Sequence, residues 1–312
     1  MNKLHAIGTA LSAALILVIP TAASAGSTGY VLGNGGTTLH VFDLSTPGTP
    51  STISLSLSGA GASLDDIDFR PLTGQLYGYD DVADRYFTVN VNTGELTLAS
   101  SAGVTPTGSD KVGIDFNPVI DRLRTVSELG ENIVYNPNNG TASDAATVPL
   151  FYAAGDANAG VAPQIVANAY TNSAFGVAAA TTVQYVLDAN LNALATLANN
   201  TGVLSTIAQV TLNGAVLDFE SDAGFDILAG PGGSNTAYAV LNVGSLAGLY
   251  TIDLATGAAS LVGALPDGFG TIRGLAVAPN AVPEPSSIVL AGLAAAGIAA
   301  YRVRGARRAS RD

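Results

Sequence analysis

The sequence predicts an all-β fold, a β-propeller of four-stranded blades, and two observations carry this prediction. First, the segment 64–71, which contains Asp68, recurs as 112–118, which contains Asp115, and the two aspartates are 47 residues apart. Second, each copy is followed by short runs of Val, Ile, Leu, Thr and Tyr that alternate with polar residues and are separated by turn residues. Such alternation is typical of strands, and a unit of about 45–55 residues with four strands is typical of a propeller blade.

The number of blades follows from the strands that lead each unit. Five such strands are predicted, near Ile67, Ile114, Ile165, Phe225 and Ile272. Six blades is the alternative count, because the third and fourth of these units repeat the pattern poorly. The first unit lacks a leading strand, and the segment 272–279 is a leading strand without followers. We therefore expect the C-terminal strand to complete the first blade and close the ring without exposed edges. The alternative fold is a β-sandwich or two stacked β-domains.

The N-terminus has the three parts of a secretory signal peptide. Lys3 precedes an apolar run over residues 6–20, and small residues follow at Ala23 and Ala25. The sequence predicts a signal helix over residues 1–25 that signal peptidase cleaves after Ala25. A buried N-terminal helix or an uncleaved membrane anchor is the alternative interpretation.

The C-terminus predicts a transmembrane helix. Residues 286–301 carry no charge, and arginines follow at Arg302, Arg304, Arg307, Arg308 and Arg311. By the positive-inside rule, these arginines stay in the cytoplasm. The run of about 16 residues is at the short limit for spanning a bilayer, and arginine side chains that reach the interface make up the difference.

The residues before that helix carry a resemblance. Val282, Pro283, Glu284 and Pro285, then the apolar helix and then the arginine cluster, resemble a PEP-CTERM sorting signal over residues 281–312. The resemblance implies recognition and cleavage near Pro-Glu-Pro by an exosortase in the inner membrane of a Gram-negative bacterium. It also implies delivery to the outer surface or the exopolysaccharide matrix. The alternative is an ordinary C-terminal membrane tail.

The middle of the chain, residues 26–280, also resembles a known family. The segments 114–118, 121–124, 169–173 and 276–279 are similar to a family of secreted bacterial proteins known as domain of unknown function 4394. The resemblance spans most of residues 29–279. It implies a propeller-like repeat domain and no assigned activity.

Composition excludes several classes of function. The chain has a net charge of −12, and residues 26–280 hold 22 acidic and six basic residues, a net charge near −16. Nucleic acid is therefore excluded as a partner, because phosphate binding needs clustered Lys and Arg. Cysteine is absent, which excludes disulfides, thiolate metal sites and a cysteine nucleophile.

Catalytic motifs are not found, so the sequence predicts a non-enzymatic structural or binding protein of the cell envelope or matrix. His40 is the single histidine within residues 26–280, and its place in a strand predicts a solvated side chain at the rim. A serine hydrolase is disfavoured, because the Gly-x-Ser-x-Gly motif is absent. The competing hypothesis is an extracellular Ca²⁺-assisted lactone or glycan hydrolase with its site at the propeller channel.

Calcium is the metal that the acidic residues favour, although no cofactor is predicted. Asp218, Glu220 and Asp222 would share one face of a strand and could converge on a cation. Asp68 and Asp115 lie inside apolar strands, so they are expected to hydrogen-bond to neighbouring blades. A channel lined by several of Asp68, Asp115, Asp218 and Asp226 would favour the metal or enzyme hypothesis.

Tyrosine is the commonest aromatic residue, and tryptophan is absent. Tyrosines on a secreted surface could stack on sugar rings, but packing between blades is the favoured interpretation. The residues concerned are Tyr77, Tyr79, Tyr86, Tyr135, Tyr152, Tyr170 and Tyr185.

Overall fold

The computed structural model describes residues 27–100, 111–146 and 148–279, and these residues form five β-sheets arranged around one axis. The all-β propeller and the count of five blades are therefore confirmed, and the six-blade and sandwich alternatives are wrong. The predicted signal helix and transmembrane helix lie outside the described residues, and the domain boundaries at residues 25 and 280 stay predictions. Within the described ranges, no helix is both long enough and apolar enough to cross a membrane.

Each blade has a first strand at the axis and three more that follow outwards in antiparallel order. Blade 1 contains β25 (Arg273–Val277), β1 (Thr28–Gly33), β2 (Thr38–Asp43) and β3 (Ser51–Ser54). Blade 2 contains β6 (Asp66–Arg70), β7 (Gln75–Asp80), β8 (Arg85–Val89) and β9 (Glu95–Leu98), with β4 (Ser56–Leu57) and β5 (Ala60–Gly61) at its outer edge. Blade 3 contains β10 (Val112–Asn117), β11 (Arg122–Ser127), β12 (Asn132–Asn136) and β13 (Thr141–Asp144).

The last two blades are built in the same way. Blade 4 contains β15 (Ile165–Tyr170), β16 (Gln184–Asp188), β17 (Ala193–Ala198) and β18 (Val203–Gln209), with β14 (Phe151–Tyr152) at its outer edge. Blade 5 contains β21 (Ala223–Ala229), β22 (Asn235–Val243), β23 (Leu246–Ile252) and β24 (Ala258–Ala264), with β19 (Thr211–Leu212) and β20 (Ala215–Val216) at its outer edge. Two short 3-10 helices cover Pro231–Gly233 and Asp267–Phe269.

The short edge strands change the predicted strand count. Blades 1 and 3 have four strands, whereas blades 2, 4 and 5 have six, five and six. The extra strands β4, β14 and β19 each pair in parallel with the outermost strand of a blade. They arise because the chain that leaves one blade runs along the outer edge of the next before it turns to the axis. This gives backbone partners to an edge that would otherwise be open.

The ring closes as the sequence predicts. β25 pairs with β1 in antiparallel register, with Gly29 opposite Val277 and Tyr30 opposite Ala276. The five first strands, β6, β10, β15, β21 and β25, each pack against the next around the axis. The strand that comes last in the described chain therefore supplies the innermost strand of the first blade.

Residues of the first strands alternate between two environments. In β6, Ile67 and Phe69 pack against blade 1, whereas Asp66 and Asp68 bond to blade 3. In β10, Ile114 and Phe116 likewise pack on the tyrosines of blade 2. Because side chains of a strand point alternately to its two faces, each first strand turns apolar residues to the preceding blade and acidic or small residues to the next.

The small residues let the first strands approach each other closely. A Cβ atom on Gly113 would lie 2.5 Å from the backbone nitrogen of Asn168 and 2.6 Å from Cα of Ala167. Both are backbone atoms of β15, which cannot move without disturbing blade 4. A glycine is therefore required here by contact between strands.

We expect Gly113→Ala to lower the free energy of unfolding by about 3 kcal/mol, because the added methyl group would force β10 and β15 apart. The matched control is Gly268→Ala, since a Cβ at Gly268 meets nothing within 4 Å. Urea unfolding followed by circular dichroism measures both variants. Equal midpoints for the two variants would contradict the close packing of the first strands.

Candidate functional site at the propeller axis

Three carboxylates meet at the axis of the propeller. Asp68 of β6, Asp115 of β10 and Asp226 of β21 each offer an oxygen that lies within 4.8 Å of the others. All three side chains are buried, with exposed fractions of 5%, 2% and 5%. The three first strands therefore bring together residues that are far apart in the sequence, and we call this group the axial cluster.

Each residue of the axial cluster accepts a hydrogen bond from the next blade. Asp68 accepts from the N–H of Phe116 at 2.7 Å, Asp115 from the N–H of Tyr170, and Asp226 from the N–H of Val277. Bonds of this kind stabilise the contact between blades, because backbone N–H groups at the inner edges have no ladder partner of their own. The expectation that Asp68 and Asp115 bond to neighbouring blades is confirmed.

Asp66, two residues before Asp68 in β6, forms a fourth hydrogen bond of this kind. Its side chain accepts from the N–H of Ile114 at 2.6 Å, and Asp66 is 3% exposed. The role of Asp66 was not predicted, although the residue lies on the same face of β6 as Asp68.

In blades 4 and 1, the first-strand residue at the level of the axial cluster is an alanine. The N–H groups of Tyr170 and Val277 follow Ala169 and Ala276, just as the N–H of Phe116 follows Asp115. Both alanines are fully buried. The axis therefore carries three carboxylates at one level, with methyl groups at the two remaining positions.

Burial and mutual repulsion favour the protonated form of the axial cluster. Burial raises the pKa of Asp226 to about 6. Burial, and after it repulsion from neighbouring carboxylates, raises the pKa of Asp68 and of Asp115 well above the ordinary value. After burial, the carboxylates of Asp68, Asp226 and Asp66 raise the pKa of Asp115. The cluster can therefore hold protons near neutral pH, or a hard cation if one reaches it.

The predicted calcium ligands lie elsewhere. The strand on which that prediction rested is wrong, because β20 ends at Val216, β21 begins at Ala223, and the residues between them connect the outer edge of blade 5 to the axis. Asp218 accepts from Nδ2 of Asn192 at 3.0 Å, and Glu220 is exposed. Calcium binding by Asp218, Glu220 and Asp222 stays a prediction.

Asp222 takes part in an ion-pair network beside the first strands. One of its oxygens lies 2.9 Å from Nζ of Lys111 and 3.7 Å from Nε of Arg273. Arg273 in turn contacts Asp65 at 2.6 Å. The network joins the starts of first strands from blades 1, 2, 3 and 5, so the charge of Asp222 is already partly neutralised.

The prediction of a solvated His40 at the rim is wrong. The side chain is 2% exposed, its ring stacks on Phe269 at 3.9 Å between centroids, and its two nitrogens contact Thr38 and Thr52. Burial lowers the pKa of the imidazole. Phe269 belongs to the 3-10 helix between β24 and β25, so closure of the propeller by β25 places Phe269 over the histidine.

The tyrosines pack between blades, as the favoured interpretation holds. Tyr86 stacks on Tyr135 across blades 2 and 3, with centroids 4.2 Å apart. The hydroxyls of Tyr86 and Thr125 lie 2.6 Å apart. Six of the seven tyrosines named above are buried, and Tyr185 packs on the core of blades 4 and 5.

Fold and axis together define a closed five-blade propeller whose central carboxylates link the blades. The chain belongs to the family described as domain of unknown function DUF4394, whose model matches residues 38–276. A second model, that of the PEP-CTERM protein-sorting motif, matches residues 281–308. Both resemblances stated from the sequence are confirmed, and the motif implies exosortase recognition of an exported protein with a membrane-anchored precursor.

Solved structures resemble the chain at low identity. The nidogen/laminin complex has 11% identity and a TM-score of 0.43, and the match covers 82% of this chain and 100% of that chain. A protein of unknown function from Bacteroides caccae has 12% identity and a TM-score of 0.46, with 81% and 99% covered. A protein from Lactobacillus plantarum has 18% identity and a TM-score of 0.38, with 78% and 68% covered. No curated protein matches the chain.

Proposed function

We propose that this chain is a non-enzymatic structural or binding protein of the cell surface or exopolysaccharide matrix, made as a membrane-anchored precursor. The observation that carries the proposal is the position of the sorting motif, which begins at residue 281, four residues after the closing strand β25 ends at Val277. The propeller is therefore complete before the sorting signal starts. Exosortase and signal peptidase are the partners during export, and exopolysaccharide is the proposed partner afterwards.

Maturation of the precursor proceeds from both ends. Signal peptidase removes residues 1–25, and the apolar segment 286–301 holds the C-terminus in the inner membrane of a Gram-negative cell with the arginines on the cytoplasmic side. Exosortase then cleaves near Pro283, Glu284 and Pro285. The strongly acidic propeller is released as a soluble body, because its charge opposes association with anionic lipid and with other copies.

The chemistry of the axis supports a structural role. The acids of the axial cluster each use an oxygen for a backbone N–H of the next blade. His40, the histidine that a hydrolytic triad would need, is stacked beneath Phe269 and bonded through both ring nitrogens. These groups are thus committed to packing and to contacts between blades.

Replacing Pro283, Glu284 and Pro285 by alanine should leave export intact and prevent release from the membrane. The precursor should then accumulate in the inner membrane, and its amount at the cell surface should fall to background. Fractionation and surface immunolabelling measure both quantities. The control replaces Pro279 by alanine, which changes a proline outside the motif. Surface delivery that is unchanged in the triple variant would contradict the proposed sorting route.

A second candidate function is an extracellular Ca²⁺-assisted hydrolase acting on a lactone or a glycan at the channel. The observation in its favour is the axial cluster, because three carboxylates within 4.8 Å are a suitable oxygen set for Ca²⁺. Against it stands the depth of the cluster, whose members are at most 5% exposed. A substrate would need direct access to the cation.

Calcium distinguishes the two candidates. We expect the melting temperature at pH 7 to be the same in millimolar Ca²⁺ and in chelator within about 1 °C, because each axial carboxylate already has a backbone donor. Scanning calorimetry on the chain, with calcium titration calorimetry beside it, makes the measurement. A rise of several degrees that Asp115→Asn abolishes would overturn this expectation and favour the second candidate. A rise that only Asp218→Asn abolishes would instead place calcium at the acids predicted from the sequence.

A further inference from the structure

The two ends of the propeller axis can be told apart because the first strands run in the same direction. Asp66 bonds to Ile114, and two residues later Asp68 bonds to Phe116, so β6 and β10 are parallel. β25 and β6 are parallel as well, since Arg273 contacts Asp65 and the next residue, Gly274, adjoins Asp66. We call the end at which the first strands finish the exit face, and the opposite end the far face.

Both ends of the described domain lie at the exit face. The N–H of Ala278 donates to the carbonyl of Thr28 at 2.9 Å, so the start of β1 and the end of β25 are adjacent. The apolar segment predicted to span the membrane begins at residue 286, seven residues beyond Pro279. Seven extended residues reach about 25 Å at most, so an anchored precursor holds its exit face close to the bilayer.

Charge is distributed unequally between the two faces. Among the described residues, the far face carries ten acidic residues that are not buried, against the basic residues Arg85, Lys111 and Arg273; the acids are Asp80, Asp81, Asp84, Glu128, Glu131, Asp144, Asp218, Glu220, Asp222 and Asp267. The exit face carries four, Asp43, Glu95, Asp121 and Asp253, against Arg70 and Arg122. An anionic bilayer therefore repels the far face more strongly than the exit face.

The exit face also carries exposed apolar side chains that are close together. The loop between β15 and β16 crosses two neighbouring turns, because the N–H of Gly176 donates to Pro71 at 2.9 Å and that of Ala179 to Pro118 at 3.0 Å. Five apolar residues that flank these contacts in the three segments are between 38% and 52% exposed, and we call them the exit patch: Leu72, Val119, Ile120, Phe175 and Val177.

The surroundings of the exit patch carry little free charge. Asp121 lies in the turn beside Ile120 and is paired with Arg70, with 2.7 Å between Nε and Oδ1. On the far face, Val82 is 93% exposed in a turn that also holds Asp81 and Asp84. A group of exposed apolar residues with paired charges marks an interaction surface, whereas single exposed residues among acids do not.

We propose that the exit face is the membrane-facing surface of the anchored precursor, and that the exit patch inserts into the interface of the lipid bilayer. The inference rests on the proposed membrane anchor at residues 286–301. Insertion of Leu, Ile, Phe and Val side chains at the lipid interface is favourable, and the adjacent anchor supplies the proximity that so small a patch lacks alone. The acidic far face then points away from the membrane.

The experiment uses the absence of cysteine in the full chain. Val177→Cys in the exit patch and Val82→Cys on the far face are each labelled with bimane, and the full-length proteins are reconstituted in vesicles of phosphatidylethanolamine and phosphatidylglycerol. Lipids that carry a nitroxide on the acyl chain should quench the label at residue 177 several-fold more than the label at residue 82. Ile120→Ser with Phe175→Ser, added to the Val177→Cys chain, should reduce that quenching.

The outcomes separate this inference from the proposed function. If carbonate washing leaves the chain in the vesicles but the two labels are quenched equally, the inference is overturned and the anchor is not. If carbonate releases the chain, the anchor and the inference both fail. Disulfide-linked dimers of the unlabelled Val177→Cys chain that form on mild oxidation and vanish on dilution in lipid would assign the exit patch to a second copy, and would overturn the inference as well.

Discussion

The free energy of unfolding of the propeller should fall as the pH rises from about 4 to about 7, opposite to the behaviour of most acidic proteins. The axial carboxylates have folded-state pKa values above those of the unfolded chain, so the folded state binds more protons than the unfolded state in this range. Stability falls with pH wherever the folded state binds more protons. Below pH 4 both states are protonated and the effect is absent.

The size of the effect follows from the shift of Asp226. Burial raises its pKa from 3.8 to about 6, and each pKa unit corresponds to 1.36 kcal/mol, so Asp226 alone should cost about 3 kcal/mol at pH 7. Asp68 and Asp115 act in the same direction, because burial, and after it repulsion from neighbouring carboxylates, raises the pKa of each. Asp65, whose pKa is raised to about 6 mainly by burial, adds to the loss.

Asp226→Asn should be more stable than the parent chain at pH 7 and should show a weaker pH dependence. The amide oxygen can still accept from the N–H of Val277, and although the amide gives up the bond that the carboxylate accepts from the N–H of Ile227, it removes one of three like charges. The matched control is Asp253→Asn in an exposed turn, where hydrogen bonds from the side chain of Thr256 and from the backbone of Ala255 and Thr256 hold the pKa of Asp253 below its usual value. Urea unfolding at a series of pH values gives the free energies. A parent chain that gains stability from pH 4 to 7, or an Asp226→Asn chain that loses it at pH 7, would contradict a protonated axial cluster.

The first strands were predictable because the sequence states their environment locally. An aspartate between two large apolar residues occurs in Ile67-Asp68-Phe69, Ile114-Asp115-Phe116 and Phe225-Asp226-Ile227. In a strand this pattern turns the apolar side chains to one blade and the aspartate to the other. It also contained a signal for the axial cluster, since the same three-residue pattern appears once in each of three first strands.

The convergence of those aspartates was not fixed by any local pattern. Asp68 and Asp226 meet because the ring closes, and closure depends on how five blades pack, which no single segment encodes. His40 shows the same limit. Strand alternation predicted the side of β2 on which His40 lies. Its imidazole is covered by Phe269, which comes from near the C-terminal end of the described chain. The edge strands β4 and β19 were not predicted, because two residues are too few to show the alternation of apolar and polar side chains.

The strand predicted over Asp218, Glu220 and Asp222 is wrong for a different reason. Their spacing places them on one face only if the backbone is extended, and the segment between β20 and β21 is instead a connection. Asp222 found partners in Lys111 and Arg273, both of which stand at the starts of first strands from other blades. Such ion pairs depend on tertiary structure, so the spacing of the acids in the sequence does not predict them.

A chain that ends at residue 280 should fold cooperatively, whereas one that ends at residue 270 should not. The shorter chain lacks β25, whose Leu275, Ala276 and Val277 are at most 3% exposed in the complete ring. Without β25, the strand β1 becomes the axial edge of blade 1, and Val31 loses the partner Leu275. Asp226 also loses the N–H of Val277 and becomes a buried carboxylate without that donor.

The comparison is matched, because the two chains differ by ten residues, of which five form β25. Scanning calorimetry should show one sharp transition for the longer chain and none for the shorter. The result bears on function, since the sorting motif begins at residue 281 and cleavage near Pro283 leaves β25 in place. Release from the membrane then costs the propeller none of its strands. If the chain ending at residue 270 melts as sharply as the longer one, closure by β25 does not stabilise the ring, and the position of the cleavage motif would carry no structural meaning.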